Sequence, residues 1–208
     1  MPTATRKPKH EARKARNDVY RHHIFDAAEQ VFAERGFEAT KVQDISKRVG
    51  LSMGTIYAIF ASKEELFRAI LDERGRELLQ LARDVAGSKR PPRETLRALS
   101  EAYIGYFVTH PNFLRMHLRE GTSWVLRPTA GADGRAQLWT DIHEQQTDIF
   151  RRGIAAGVFV AEPPGYLAKL FSAMDQVLLA DWVAGGMKAN QPQLVARLQQ
   201  LVERTFCK

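Results

Sequence analysis

An all-α fold in two blocks is predicted by three features of this sequence. Apolar residues recur at spacings of three and four almost from end to end, the period of helices that bury one face. Gly and Pro fall at intervals of helix length, where they stop one helix and open the next. No stretch alternates apolar and polar residues as a half-buried strand would.

The elements follow in order. From Tyr20 a stripe of Ile24, Ala27, Ala28, Val31 and Phe32 predicts a first helix that Arg35-Gly36 closes. Thr40 offers an N-cap hydroxyl to a short second helix, with Val42, Ile45 and Val49 inward and Gly50 at its end. Ser52 caps a third, where Ile56 and Phe60 face the core. Ser62 caps a longer fourth, whose Glu64 and Glu65 suit the positive end of the helix dipole. The Gly-Ser-Lys-Arg-Pro-Pro run from Gly87 to Pro92 cannot continue a helix and marks the boundary. Helices over Thr95–Thr109, Asn112–Arg119 and Leu138–Ala156 come next, the last two separated by a loop over residues 121–134. Pro163-Pro164 opens one more, ended by Gly185-Gly186, and Pro192 starts the last.

Composition bounds the class. The 208 residues suffice for one or two domains with a core of their own. At 44% hydrophobic and 26% charged, the chain is neither disordered throughout nor of low complexity. Cys207 is the single cysteine, which excludes an internal disulfide and a CxxC zinc site and fits a reducing cytoplasm. No run approaches the roughly 20 apolar residues of a membrane span, and no apolar segment follows the basic N-terminus as a signal peptide requires. A cytoplasmic protein without membrane association is expected.

The charge is uneven. Of the formal +7, residues 1–24 hold +5, from Arg6, Lys7, Lys9, Arg13, Lys14, Arg16 and Arg21 against Glu11 and Asp18. Charge alone leaves two readings open, an anionic partner such as nucleic acid or a solvated tail.

The segment Thr40–Lys63, TKVQDISKRVGLSMGTIYAIFASK, decides between them. Two short helices joined by a Gly-containing turn make a helix-turn-helix unit, whose second helix fits a major groove. Packing through Ile45, Val49, Leu51, Ile56 and Phe60 leaves Met53, Gly54, Thr55, Tyr57 and Ala58 outward. A helix face of Gly, Thr and Tyr does little for stability, and it suits close approach to DNA.

Residues 24–70, with DAAEQVFAERGF, the T…DIS…VGLSMGTIY run and SKEEL, closely resemble the DNA-binding domain of the TetR family of transcriptional regulators. The resemblance implies a homodimer on a pseudo-palindromic double-stranded operator, its recognition helices one DNA turn apart. Carried onto this sequence, it assigns phosphate contacts to Thr40, Lys41 and Lys63, and outward positions to Gln43, Ser52, Thr55 and Tyr57. Gln43 suits an adenine edge. Gly54 allows close backbone approach, and Met53 stands in the same contact set where the family often has Lys. Ala58-Ile59 replaces a more aromatic or His-containing pair, so the basic arm is expected to add phosphate contacts.

In the second block, Tyr103, Phe107, Met116, Trp124, Trp139, Phe150, Phe171 and Met174 suit the walls of a ligand cavity, with His117, His143, Gln146 and Asp175 as polar contacts. Core packing explains the same residue types. Tyr103, Phe107, Trp124, Trp139, His143, Gln146, Phe171 and Asp175 form the candidate effector set, for a hydrophobic or aromatic small molecule. By resemblance the last two helices dimerise; Leu178, Val183, Leu194, Leu198, Leu201 and Val202 fit that interface or this chain's own core.

Neither a catalytic motif nor a metal-ligand spacing is present, and no cofactor is expected. The adjacent His22 and His23 diverge on a helix. The sequence thus predicts a ligand-responsive repressor: residues 1–19 a basic arm, 20–62 the helix-turn-helix domain, 63–87 a linking helix, and 88–208 the ligand-binding and dimerisation domain. A regulator without an effector, and a helical enzyme or protein-binding bundle, are the alternatives.

Overall fold

The computed structural model describes residues 7–119 and 134–208, with side chains over 15–119 and 139–208. Among these described residues the chain is all-α, with nine helices: α1 (Lys7–Arg35), α2 (Val42–Val49), α3 (Met53–Tyr57), α4 (Lys63–Ala86), α5 (Pro92–Thr109), α6 (Pro111–Arg119), α7 (Gly134–Ala155), α8 (Pro164–Ala184) and α9 (Gln191–Phe206). Extended pairing among them is limited to one antiparallel bridge, Phe159 with Cys207. No described helix is long and apolar enough to cross a membrane. The chain divides into two compact units, one up to Leu71 and one from Asp72 onward, and the division falls within α4.

In the first unit, α1 begins at Lys7, well before the apolar stripe at Ile24. Ala, Arg, Lys and Glu dominate this stretch, and their helix propensity carries the helix through the basic arm. The core gathers Ile24, Ala28, Phe32, Ile45, Ile56, Leu66 and Ile70, all buried. The Phe32 ring meets the edge of Phe67 at 5.0 Å, and Phe25 stacks on Phe60 at 5.4 Å. The Arg21 guanidinium lies 4.9 Å from the centre of the Phe25 ring and 4.8 Å from that of Phe60.

In the second unit, α5 packs against α6, α7, α8 and α9, and α8 packs against both α7 and α9. The turn after α7 is set by Gly153. A Cβ there would lie 2.0 Å from Cδ2 of Phe159, so the missing side chain is what lets that ring fold back over the helix. Phe159 then packs on Phe150 (5.3 Å), which meets Phe206 of α9 at 5.0 Å. Val160 N–H donates to the Phe206 carbonyl at 2.9 Å, and Lys208 N–H to that of Val158 at 3.2 Å, which ties the end of the chain to this turn.

Of the six residues that fit either a dimer interface or this chain's own core, four take the core. Leu178, Leu194, Leu198 and Val202 are buried in this chain's own core. Leu201 is exposed, as are Val177 and Tyr166, which lie outside the expected stripe. Helices α8 and α9 carry apolar residues on two faces, and the helical period alone does not say which face the chain itself covers.

Candidate functional site

Two sites emerge, a surface on α2 and α3 and a cavity in the second unit. Side chains across the first unit fix α2 on α1. The Arg48 guanidinium grips Glu34 with both ends, at 2.9 and 2.7 Å, and also donates to Gln30 Oε1 at 3.1 Å. Arg35 pairs with Asp44 at 2.8 Å. The Lys41 N–H donating to Asp44, with Arg35 beside it, holds that carboxyl below its ordinary range. Both pairs lie at the surface, so they orient α2 more than they stabilise it.

The turn into α3 is equally defined. Gly50, at φ 72°, takes the left-handed conformation that closes α2, and the Ser46 hydroxyl donates to the Leu51 carbonyl at 2.6 Å. Ser52 caps α3, its Oγ accepting from Thr55 N–H at 3.1 Å and lying 2.9 Å from the Thr55 hydroxyl. Ile56 and Phe60 are buried beneath. The helix itself ends at Tyr57, and Phe60 reaches the core from the turn beyond.

Outward stand Met53 (38% exposed), Gly54 and Tyr57 (49%), with Thr55 half-buried between them. Gly54 is not required by the fold. Its φ is not positive, and a Cβ would meet only Ser52 Oγ at 3.7 Å, an ordinary contact. Glycine weakens a helix relative to alanine, so its use here suits something that approaches the backbone from outside. Lys41, the N-cap of α2, and Gln43 on α2 are exposed on the same unit.

Two expected contacts are placed differently. Thr40 is 2% exposed, and its hydroxyl donates to the Gly36 carbonyl at 2.7 Å. It braces the turn after α1; the N-cap of α2 is Lys41. Lys63 Nζ donates to the carbonyls of Phe37 (2.8 Å) and Thr40 (3.1 Å) and sits 4.2 Å from the centre of the Phe37 ring. That ammonium fastens the start of α4 to the same turn with two of its three N–H donors. In both cases carbonyls of the turn after α1 take the side-chain donor. Of the basic arm, Lys7 to Arg16 lie on α1, and Arg6 lies outside the described residues.

In the second unit, Leu78 of α4, Tyr103 and Phe107 of α5, Trp139, Ile142, His143 and Gln146 of α7, and Ser172 and Asp175 of α8 surround one small cavity. Its room is about 20 Å³, enough for a water molecule at ~10–15 Å³ each. Tyr103, Phe107, Trp139, His143, Gln146 and Asp175 of the candidate set therefore share one lining. Phe171 packs behind it, its ring 6.4 Å from that of Tyr103, and Trp124 lies outside the described residues. Leu78, Ile142 and Ser172 escaped the sequence reading, although helical spacing points to two of them: Ile142 is four residues from Gln146, and Ser172 three from Asp175.

The polar groups of the cavity form an incomplete network. Ser172 Oγ donates to Gln146 Oε1 at 2.9 Å, and Gln146 Nε2 donates to the Tyr103 hydroxyl at 3.4 Å. Asp175 is 1% exposed, and its Oδ1 has no hydrogen-bond partner. Burial drives its carboxyl well above the ordinary range and pushes the Tyr103 hydroxyl up as well; Gln146 opposes the Tyr103 shift and Asp175 adds to it. Burial, with the Lys169 charge, pulls His143 down. Among the described residues no cluster of His, Cys, Asp and Glu is able to hold a metal ion.

Residues 24–70, which contain α2 and α3, match the family model of bacterial regulatory proteins, tetR family. The transcriptional repressor KstR2 of Mycobacterium tuberculosis is 31% identical over 144 residues, 65% of this chain and 67% of that protein. The transcriptional repressor NicS of Pseudomonas putida is 32% identical over 142 residues, 68% of this chain and 66% of its own. The solved structure of the TetR family transcriptional regulator PfmR from Thermus thermophilus superposes with a TM-score of 0.74 at 25% identity, covering 88% of this chain and 97% of that one. Helix-turn-helix geometry, family match and a likeness that runs through both units agree: the chain belongs to the TetR family of DNA-binding transcriptional regulators.

Proposed function

We propose that the protein is a dimeric repressor that places α3 in successive major grooves of a pseudo-palindromic operator and leaves it when a small molecule enters the cavity of the second unit. The outward face of α3 carries this reading, because Gly54 and the exposed Met53 and Tyr57 are unexplained by packing. Lys41, Gln43, Ser52, Met53, Thr55, Tyr57 and Lys63, whose ammonium keeps a third N–H donor, are the side chains assigned to DNA. The sign of regulation follows KstR2 and NicS, both repressors. Residues up to 62 act as the reading head with its basic helical extension, residues 63–87 as the link, and the remainder as the sensing and dimerising block.

Dimerisation is supported by an apolar groove of about 420 Å³ along α8 and α9, lined by Leu170, Ala173, Met174, Val177 and Leu201, with Val177 68% exposed. Exposed apolar surface of this kind on a helix pair suits a two-fold contact with its own copy.

Regulation follows from the size of the cavity. Drug-sized ligands occupy ~300–1,000 Å³, so one enters only a state in which the helices around the cavity have separated. The effector stabilises that state by its differential affinity, and α4, shared by both units, transmits the difference. A coupling of ~1–3 kcal/mol lowers operator affinity 5–150-fold. A second reading keeps the operator and drops the effector, and the small volume of the cavity favours it. Selection of bound DNA from random duplexes tests the proposal. A pseudo-palindrome recovered by the wild type and lost on Tyr57→Ala supports it; sequence-independent binding that vanishes with salt overturns it. Small-molecule release of that operator then separates the two readings.

A further inference from the structure

Asp175 is the one feature of the cavity that neither packing nor the hydrogen-bond network explains. It is a carboxyl in the middle of α8, 1% exposed, on a wall otherwise made largely of aromatic and aliphatic side chains. The Ser172–Gln146–Tyr103 chain does not reach Asp175 Oδ1, which is left without a donor. A buried acceptor left unpaired is unfavourable, and a core that needed only packing would be served better by Leu at this position. Nor does a neighbouring cation compensate it: burial alone accounts for the raised affinity of this carboxyl for its proton. Lys169, the cation felt at the cavity, acts on His143 and lies exposed.

Taking the cavity as the effector site proposed above, we infer that its effector is a cation: a protonated amine on an aromatic or apolar body, with Asp175 as counter-charge and the Tyr103, Phe107 and Trp139 rings as walls. Such a group supplies what the site lacks. Its N–H donates to Oδ1 in a charge-assisted hydrogen bond, and its charge rests against ring faces. The ammonium charge favours release of the Asp175 proton to solvent and pairs with the carboxylate left behind, whereas a carboxylate or phosphate ligand brings no opposite charge, so this residue favours amines over anions. Half-buried His143, which burial and Lys169 hold toward its neutral form, adds no competing positive charge.

Three probes of similar shape test this on the full-length protein by calorimetry: 2-phenylethylamine, 2-phenylethanol and 3-phenylpropionate. The wild type binds the amine roughly 10–100-fold more tightly than the alcohol, each factor of ten being ~1.4 kcal/mol, and the carboxylate most weakly. In Asp175→Asn, whose folding is checked by urea denaturation, the preference for the amine collapses while the alcohol binds as before. Glu101→Gln, an exposed acid on α5 outside the cavity, keeps the preference. Equal binding of amine and carboxylate, or a preference that survives Asp175→Asn, overturns the inference. Binding of none of the three at millimolar concentration overturns it too, because the cavity is then a packing defect. Operator affinity measured on the same samples separates the two claims. Selective amine binding that leaves the operator bound upholds the cation chemistry and removes the cavity's regulatory role.

Discussion

Adding one methyl group at Gly54 separates a structural glycine from a functional one. Its backbone is not in the left-handed region, and the new Cβ of Gly54→Ala would meet only Ser52 Oγ, at 3.7 Å. Neither strain nor overlap then opposes the change. Alanine in place of glycine stabilises a compatible site by ~0.4–1 kcal/mol, and a first-turn position in a five-residue helix belongs near the lower end. The variant should therefore unfold at slightly higher urea than the wild type. On the operator the same methyl stands about 1.5 Å proud of the backbone, in the space that a base or phosphate within hydrogen-bond reach would occupy. A steric conflict of ~1–3 kcal/mol per half-site corresponds to roughly 5–150-fold, and a dimer meets it twice. Fluorescence anisotropy with the selected operator, beside urea denaturation, reads both quantities. A destabilised variant would show that the fold needs this glycine. Unchanged affinity in a stable variant would show that nothing comes close to it, and the assignment of α3 to the groove would fail.

Three further outcomes follow from the geometry. Charging the exposed groove with Val177→Glu and Leu201→Glu should leave a folded monomer by light scattering and weaken operator binding; a dimer that persists would place the interface elsewhere. Deleting residues 1–16 should lower the slope of log affinity against log salt by ~0.9 for each phosphate that the basic arm neutralises, and an unchanged slope would show that the start of α1 does not reach DNA. Burial keeps a proton on native Asp175 that the unfolded chain releases above its ordinary pKa of 3.8. Stability from this group is therefore full below that value and declines as pH rises through the native pKa. Asp175→Asn should lose less stability than the wild type as pH rises above about 4 in urea titrations, and equal losses would refute the shift.

What was legible in the sequence was whatever depends on period and punctuation. Ile24 to Phe32 and Ile45 to Phe60 announce their helices and their turns, because burying one face of a short helix leaves few other solutions. The cavity lining was readable for the same reason: Trp139, His143 and Gln146 recur at helical spacing and so share a face of α7. Donor satisfaction was not legible. Thr40 and Lys63 look like free polar groups along the chain, yet the carbonyls of Gly36, Phe37 and Thr40 claim them once the turn after α1 closes. The same logic runs in reverse at Asp175, where a group expected to be one contact among several has an oxygen that the fold leaves without a donor. Where folding absorbs a polar group, as at Thr40, a motif overstates its role in binding; where folding leaves one buried and unpaired, as at Asp175, the proposed amine would supply the missing donor.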